Sequence, residues 1–126
     1  MRIKIKEKKL FKKLIKRNFG LELKEIDSFC TDSREIKKND IFLPIKGKNL
    51  DSHKFIPDVI NKKAAIIFSE FDFHNQNIIR VKSTKETLKK LSSEWIKFFD
   101  KPIIAITGSN GKTTTKETLS KYFKDK

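Results

Sequence analysis

The stretch Pro102–Lys121, PIIAITGSNGKTTTKETLSK, places the tightest limit on what this chain can fold into. An apolar run, Ile103–Ile106, leads straight into Thr107-Gly108-Ser109-Asn110-Gly111-Lys112-Thr113-Thr114, and a helical pattern follows with Leu119, Tyr122 and Phe123 on one side. That order predicts a buried strand, a Gly-rich turn and a helix N-terminus carrying Lys-Thr, the build of a phosphate cradle. Glycines at 108 and 111 admit positive φ and let backbone N–H groups come close to phosphate oxygens. The helix start adds unpaired N–H groups and the favourable end of the dipole. In such a cradle Lys112 reaches the β/γ-phosphates and the Thr113 hydroxyl ligates Mg²⁺. The longer pattern G-x-x-x-x-G-K-[ST] is not met, because its first glycine would fall on Ile106; the motif is the shorter G-x-x-G-K-T-T. The alternative is a Gly-rich strand–helix turn that holds no ligand.

With 126 residues the chain has the size of one ordinary domain, enough for a real core. Its formal charge of +14 raises the question of nucleic acid. The lysines, however, are spread through every segment among Ile, Asn and Phe, and arginine is scarce, which is not the footprint of a recognition patch. No nucleic-acid partner is therefore expected. A single cysteine, Cys30, excludes an internal disulfide, and two histidines give no zinc pattern. A reduced, cytoplasmic setting is the expectation. Met1–Arg17 is basic but lacks the apolar region and cleavage site of a signal peptide, and no run approaches the ~20 apolar residues of a membrane span. The segment could mimic a membrane-surface helix, with Leu10, Phe11, Leu14 and Ile15 on one side; a first helix packed on a sheet is the preferred reading.

In chain order, Arg2–Ile5 alternates as a short strand, and Lys8–Asn18 reads as a helix stopped near Gly20. Glu25–Thr31 is a predicted strand, Asp32-Ser33-Arg34 a turn, Asp40–Ile45 the next strand and Lys46–Asn49 a loop. Asp51–Lys63 reads as a helix with Phe55, Ile56, Val59 and Ile60 inward, in which Pro57 is tolerated only in the first turn. Ala64–Ser69 and Asn77–Val81 are further strands around the loop Glu70–Gln76. Ser83 and Glu86 have capping-box spacing and open a helix with Leu88, Leu91, Trp95, Phe98 and Phe99 on one face, broken by Asp100-Lys101-Pro102. Strands alternating with helices predict an α/β layer arrangement.

Three blocks together carry a resemblance: Thr31-Asp32-Ser33-Arg34, then Asn39–Gly47 (NDIFLPIKG), then Asp51–Ile56 (DSHKFI). In this order, and followed by ITGSNGKTTT, they resemble the N-terminal part of the Mur ligases, which build the peptidoglycan precursor. The resemblance implies a small α/β substrate domain over 1–82 for the UDP-N-acetylmuramoyl-peptide, a connecting helix over 83–101, and the first strand–P-loop–helix of a central ATP-binding domain over 102–126. It implies an ATP-dependent amide ligation in which a substrate carboxylate becomes an acyl phosphate and is attacked by an amine. Gly108, Ser109, Asn110, Gly111, Lys112, Thr113 and Thr114 would then cradle ATP, with Lys112 as the catalytic group that stabilises the transferring phosphoryl and Thr113 on Mg²⁺. Asp32, Ser33 and Arg34 would lie near the UDP end of the substrate, and Lys48, Asn49 and Leu50 would contact it. For the triplet, the residues themselves equally support a structural turn with Asp32 bonding nearby N–H groups. Thr115-Lys116-Glu117 is most similar to the branch that adds D-alanyl-D-alanine to the tripeptide; the branch that adds the third amino acid is the alternative.

The family usually has Gly where this chain has Asn39 and Ser52. Asn suits a left-handed turn, and Ser52 could serve as a helix cap. His53 is read as a helix-start residue and His74 as a loop residue. A lone strand–loop–helix cannot cover both faces of its strand, so Ile103–Lys126 is expected to be marginally stable and the chain inactive by itself, a fragment needing the remainder of the ligase. A non-catalytic module that binds the UDP-precursor, a different P-loop protein such as a small kinase, and a basic nucleic-acid binder are the competing readings.

Overall fold

Buried side chains that alternate along short strands set the layers of this molecule. The structure, a computed structural model, describes residues 1–99 and 102–124. The break expected at Asp100-Lys101 lies outside the described residues. Five strands form one sheet in chain order: β1 (Arg2–Lys4), β2 (Ser28–Cys30), β3 (Ile41–Phe42), β4 (Ile66–Ser69) and β5 (Ile78–Arg80). β1 runs antiparallel to β2, and all other neighbours are parallel. The register puts Phe29 beside Ile41 and Ile41 beside Ile66, and likewise Cys30 beside Phe42 and Phe42 beside Ile67. Because successive side chains point to opposite faces, these two rows face opposite ways. The first row joins Phe11, Leu14, Ile15 and Leu91 in one core cluster. The second joins Ile36, Ile56 and Val59 in another. A parallel sheet apolar on both faces needs cover on both, and the helices supply it.

Helix α1 (Lys8–Phe19) buries Phe11, Leu14 and Ile15, as its stripe predicts, and ends at Gly20, whose N–H bonds the Lys16 carbonyl at 2.8 Å. Helix α3 (Thr84–Ile96) packs beside it: the Phe11 and Trp95 rings lie 5.2 Å apart edge to face, and Glu94 accepts from Arg17 and Asn18. The Ser83 hydroxyl accepts the Glu86 amide, so the predicted N-cap forms. Leu91 is only 3% exposed, which makes α3 an integral part of this core. On the opposite face α2 (Ile56–Asn61) follows a 3₁₀ turn over Ser52–Phe55, with Pro57 in its first turn. The cap of that turn is Asp51 and not the expected Ser52: Asp51 accepts the His53 amide, leaving the one-carbon-shorter Ser52 outside the cap position. Asn39 takes the left-handed conformation foreseen for it, with φ 65°.

The strands expected over 25–31 and 40–45 shorten to three and two residues, although Leu43 and Pro44 stay buried beyond β3. The larger correction concerns Ile103–Ile106. These residues form no strand; Ile103 is 60% and Ile104 57% exposed. A strand exists only where a neighbour takes its N–H and C=O groups, and among the described residues no edge of the sheet pairs with this segment. Helix α4 (Lys112–Lys124) does form, with no buried residue. No helix of the described residues is long and apolar enough to cross a membrane.

Candidate functional site

The residues singled out by sequence fall in two places. The first is the Gly-rich loop. Gly108 has φ 145° and Gly111 φ 76°, both in the range that an L side chain resists, so the turn has the backbone that the glycines were expected to permit. Lys112, Thr113 and Thr114 occupy the first turn of α4, and its opening bond runs from the Thr115 N–H to the Gly111 carbonyl at 2.9 Å. Gly108–Thr114 are all exposed. Exposed N–H groups at a helix start, a lysine beside them and no acidic residue in the first turn suit an anion. For Mg²⁺ the donor set is thin, since among the described residues no three His, Cys, Asp or Glu side chains gather to hold a metal. Mg²⁺ demands octahedral oxygen ligands and normally shares them with phosphates and water. Thr113 therefore suits it as one ligand alongside a bound triphosphate.

The second place is an end of the sheet. β2, β3 and β4 are parallel neighbours, so the segments leaving their C-terminal ends emerge on the same side. These segments are Thr31–Arg34, Leu43–Asp51 and Glu70–Phe71. The end of a parallel sheet is where ligands of open α/β folds bind. The structure thus brings Asp32, Ser33 and Arg34 to the same sheet end as the Lys48-Asn49-Leu50 loop. It does not bring the Gly-rich loop into the sheet.

Local chemistry fixes each piece. The Asp32 carboxylate accepts from the Arg34 backbone N–H at 3.0 Å and from its guanidinium at 2.9 and 2.6 Å. Those side-chain bonds, then the backbone bond, hold Asp32 far below the usual carboxylate range. The turn reading of Asp32 is thereby present in the structure, while Arg34 keeps an 87% exposed side chain. Burial raises the Cys30 thiol, whose Sγ lies 3.1 Å from the Asp32 carbonyl. The Lys48–Leu50 loop is pinched shut: the Gly47 N–H donates to the Leu50 carbonyl at 2.8 Å, and Lys46 bridges to Asp51. Leu50 stays 49% exposed.

An open hollow of about 460 Å³ adjoins the triplet, lined by Ser33, Arg34, Phe55, Asp58, Asn61 and Lys62. The α2 residues in it were missed by the sequence reading; their polar face on an otherwise apolar helix is the signal that points to them. A larger hollow of about 590 Å³ lies between β1, α1 and α3, but apolar side chains such as Ile5, Phe11, Leu91 and Trp95 dominate its wall and no motif residue borders it. His53 was also underestimated. It does start a helical turn, as expected, but it is buried and bonded through both ring nitrogens.

No protein-family model matches the chain. Individual proteins do. The ligase "UDP-N-acetylmuramoyl-L-alanyl-D-glutamate--2,6-diaminopimelate ligase" of Clostridium tetani is 36% identical over 126 residues, covering 90% of this chain and 25% of that protein. The "UDP-N-acetylmuramoyl-tripeptide--D-alanyl-D-alanine ligase" of Buchnera aphidicola is 38% identical over 104 residues, covering 79% of this chain and 22% of that protein. Among solved structures, the MurF ligase of Thermotoga maritima in complex with ADP matches with a TM-score of 0.65 and 37% identity over 78% of this chain and 23% of its own.

Over most of its length the chain is similar to Mur ligases.

It spans about a quarter of the length of the curated relatives it matches. Relatives of both the diaminopimelate-adding and the D-alanyl-D-alanine-adding type match at nearly equal identity. The expected family, with its mixed α/β sheet, is thus borne out, whereas the choice between its branches is left to chemistry. The Mur resemblance rested on the blocks at 31–34, 39–47 and 51–56, of which 31–34, 43–47 and Asp51 lie in the segments that leave β2 and β3 at one end of the sheet.

Proposed function

We propose that this chain serves an ATP-dependent amide ligase of peptidoglycan precursor synthesis, in which residues 1–82 receive the UDP-N-acetylmuramoyl-peptide and residues 102–126 open the ATP site. The observation that carries the reading is the convergence of Asp32-Ser33-Arg34 and the Lys48–Leu50 loop at the C-terminal ends of adjacent parallel strands. In this role Arg34, exposed beyond its bond to Asp32, offers its remaining guanidinium donors to a diphosphate. Ser33 contributes a hydroxyl to the UDP end, and the loop Lys48-Asn49-Leu50 supplies a cation, an amide and an apolar contact. The Asp32–Arg34 bonds hold the turn ready before the ligand arrives, which lowers the ordering cost of binding.

Gly108, Ser109, Asn110, Gly111, Thr114 and the first turn of α4 hold the triphosphate through backbone N–H groups, with Lys112 as the charge-stabilising catalytic group and Thr113 as one Mg²⁺ ligand. When bound, ATP supplies the phosphoryl group that activates the precursor's carboxylate for attack by the incoming amine. D-Alanyl-D-alanine is the proposed incoming dipeptide. Two things support that choice: Thr115-Lys116-Glu117 directly after the loop, and the likeness to a MurF structure. The second reading, addition of the third amino acid, is favoured by the Clostridium tetani relative, which matches 90% of the chain. The chain by itself is proposed to be inactive, since among the described residues the segment 103–106 has no neighbouring strand to set the loop against a substrate.

Calorimetry tests the reading. UDP-N-acetylmuramoyl-tripeptide titrated into the 126-residue chain should bind, and a Ser33→Ala, Arg34→Ala double variant should lose at least about tenfold in affinity, the loss expected for one charge-assisted bond. Equal binding by the double variant would remove these residues from the site, and no binding by the wild type would remove the precursor reading altogether.

A further inference from the structure

His53 sits where three segments of the sheet end meet, and its ring is 3% exposed. On one side Nδ1 lies 2.6 Å from the Asp51 Oδ1. On the other the Glu70 backbone N–H points at Nε2 from 3.3 Å. An amide N–H can only donate, so Nε2 must carry the lone pair and Nδ1 the proton. The ring is thus a neutral imidazole in one tautomer, donating to the loop after β3 and accepting from the bend after β4. Both neighbours are themselves fixed. Asp51 closes the Lys46–Asp51 loop and also accepts the His53 amide at 3.0 Å. The Ser69 hydroxyl accepts the Phe71 amide at 3.0 Å and donates to the Phe71 carbonyl at 2.8 Å, which holds the bend that presents the Glu70 N–H. Phe71 lies edge-on to the imidazole at 5.2 Å.

The Glu70 side chain continues the line. Its Oε1 accepts the Thr84 N–H at 2.8 Å and the Thr84 hydroxyl at 3.1 Å, satisfying the first donors of α3. Thr84 is 1% exposed, so this acceptor has little competition from water. A line of hydrogen bonds therefore runs from Asp51, which closes the Lys46–Asp51 loop, through the His53 ring to the Glu70 N–H, and Glu70's own side chain carries it on to the N-terminus of α3.

We propose that His53 is a positioning residue, whose imidazole ties the Lys46–Asp51 loop to the N-terminus of α3 so that the two are set together. No other side chain has a donor and an acceptor on opposite edges of one rigid ring, which is what this place requires. Where the loop is taken to contact the precursor, the inference rests on the function proposed above; the tie itself does not.

The test uses the full chain without ligand. Ring-nitrogen NMR of the wild type should report the Nδ1–H tautomer, and the Nε2–H tautomer would overturn the proposal. Glu70→Ala leaves the backbone N–H to Nε2 in place and deletes only the helix cap. By reciprocity of coupling it should still shift the His53 ring nitrogens and the Gly47 and Leu50 amides; changes confined to 69–71 and 83–86 would refute the tie. His53→Gln can return an acceptor to the Glu70 N–H, whereas His53→Asn keeps only the Asp51 arm. Amide exchange at Glu70 and Thr84 should accelerate about tenfold in the Asn variant and stay near wild type in the Gln variant, the change expected for one lost buried bond. Equal exchange in both variants counts against the proposal, and if either fails to fold, the tautomer and the Glu70→Ala shifts decide. None of these readouts needs the precursor, so their failure leaves the calorimetric test of function standing, and the reverse holds as well.

Discussion

Replacing Leu91 by Ala should remove a large part of the stability of this chain. Leu91 lies on α3, 3% exposed, in the cluster with Phe11, Leu14, Phe29 and Phe68. The change deletes three buried carbons at about 0.8 kcal/mol each, or about 2.4 kcal/mol of transfer free energy. The cavity that remains between α1, α3 and the sheet raises the cost to about 3–4 kcal/mol. Against a net stability of about 5–10 kcal/mol that is a severe loss. The single tryptophan, Trp95, sits one turn further along the same helix with its ring against Phe11, so its fluorescence follows the event directly. In urea, with a slope of about 1.5 kcal/mol/M, the midpoint should fall by about 2 M with the slope unchanged. Leu119→Ala on α4, whose helix buries no residue, should cost less than about 1 kcal/mol. If Leu91→Ala cost no more than Leu119→Ala, α3 would be only a connector and the core described here would be wrong.

Other perturbations separate the remaining claims. Asn39→Val forces a β-branched residue to φ 65° and should cost about 1–2 kcal/mol in the same urea assay, whereas Asn39→Gly should be far milder. Ile103→Lys and Ile104→Lys should leave thermal stability within about 0.5 kcal/mol, since both side chains are exposed; a large loss would show that the segment packs as a strand after all. Arg34→Ala should return the Asp32 titration, followed by carboxyl ¹³C shifts, upward toward the ordinary carboxylate range. Because the folded-state value is depressed, the stabilisation from this pair is present above the unfolded carboxylate pKa and is lost as pH falls through the folded one; in the variant this contribution should be largely absent, so stability should depend less on pH across that acid range.

Much of the fold was legible because it follows from local pattern. The 3.6-residue stripe of α1, the Ser83 cap, Pro57 in a first turn and the left-handed Asn39 each depend on near neighbours in sequence. The apolar runs at 40–45 and 64–69 announced strands of an α/β layer arrangement for the same reason. The strand at 103–106 failed because its existence depends on a partner strand, which no local pattern supplies. His53 was undervalued on similar grounds: its two partners come from either side of it in sequence, and Glu70, seventeen residues away, meets it only once β4 lies beside β3. The triplet at 32–34 shows the limit in the other direction. Its turn chemistry was readable from the residues, but that the same bonds leave the Arg34 side chain exposed was not.

The most direct test of the central claim is a map of amide shifts in the 126-residue chain as UDP-N-acetylmuramoyl-tripeptide is added. The account predicts that the shifts gather at residues 31–34 and 46–51, with smaller changes at Glu70 and Thr84 and none at 107–114. Shifts centred on the hollow between α1 and α3, or no saturable shifts at all, would contradict it.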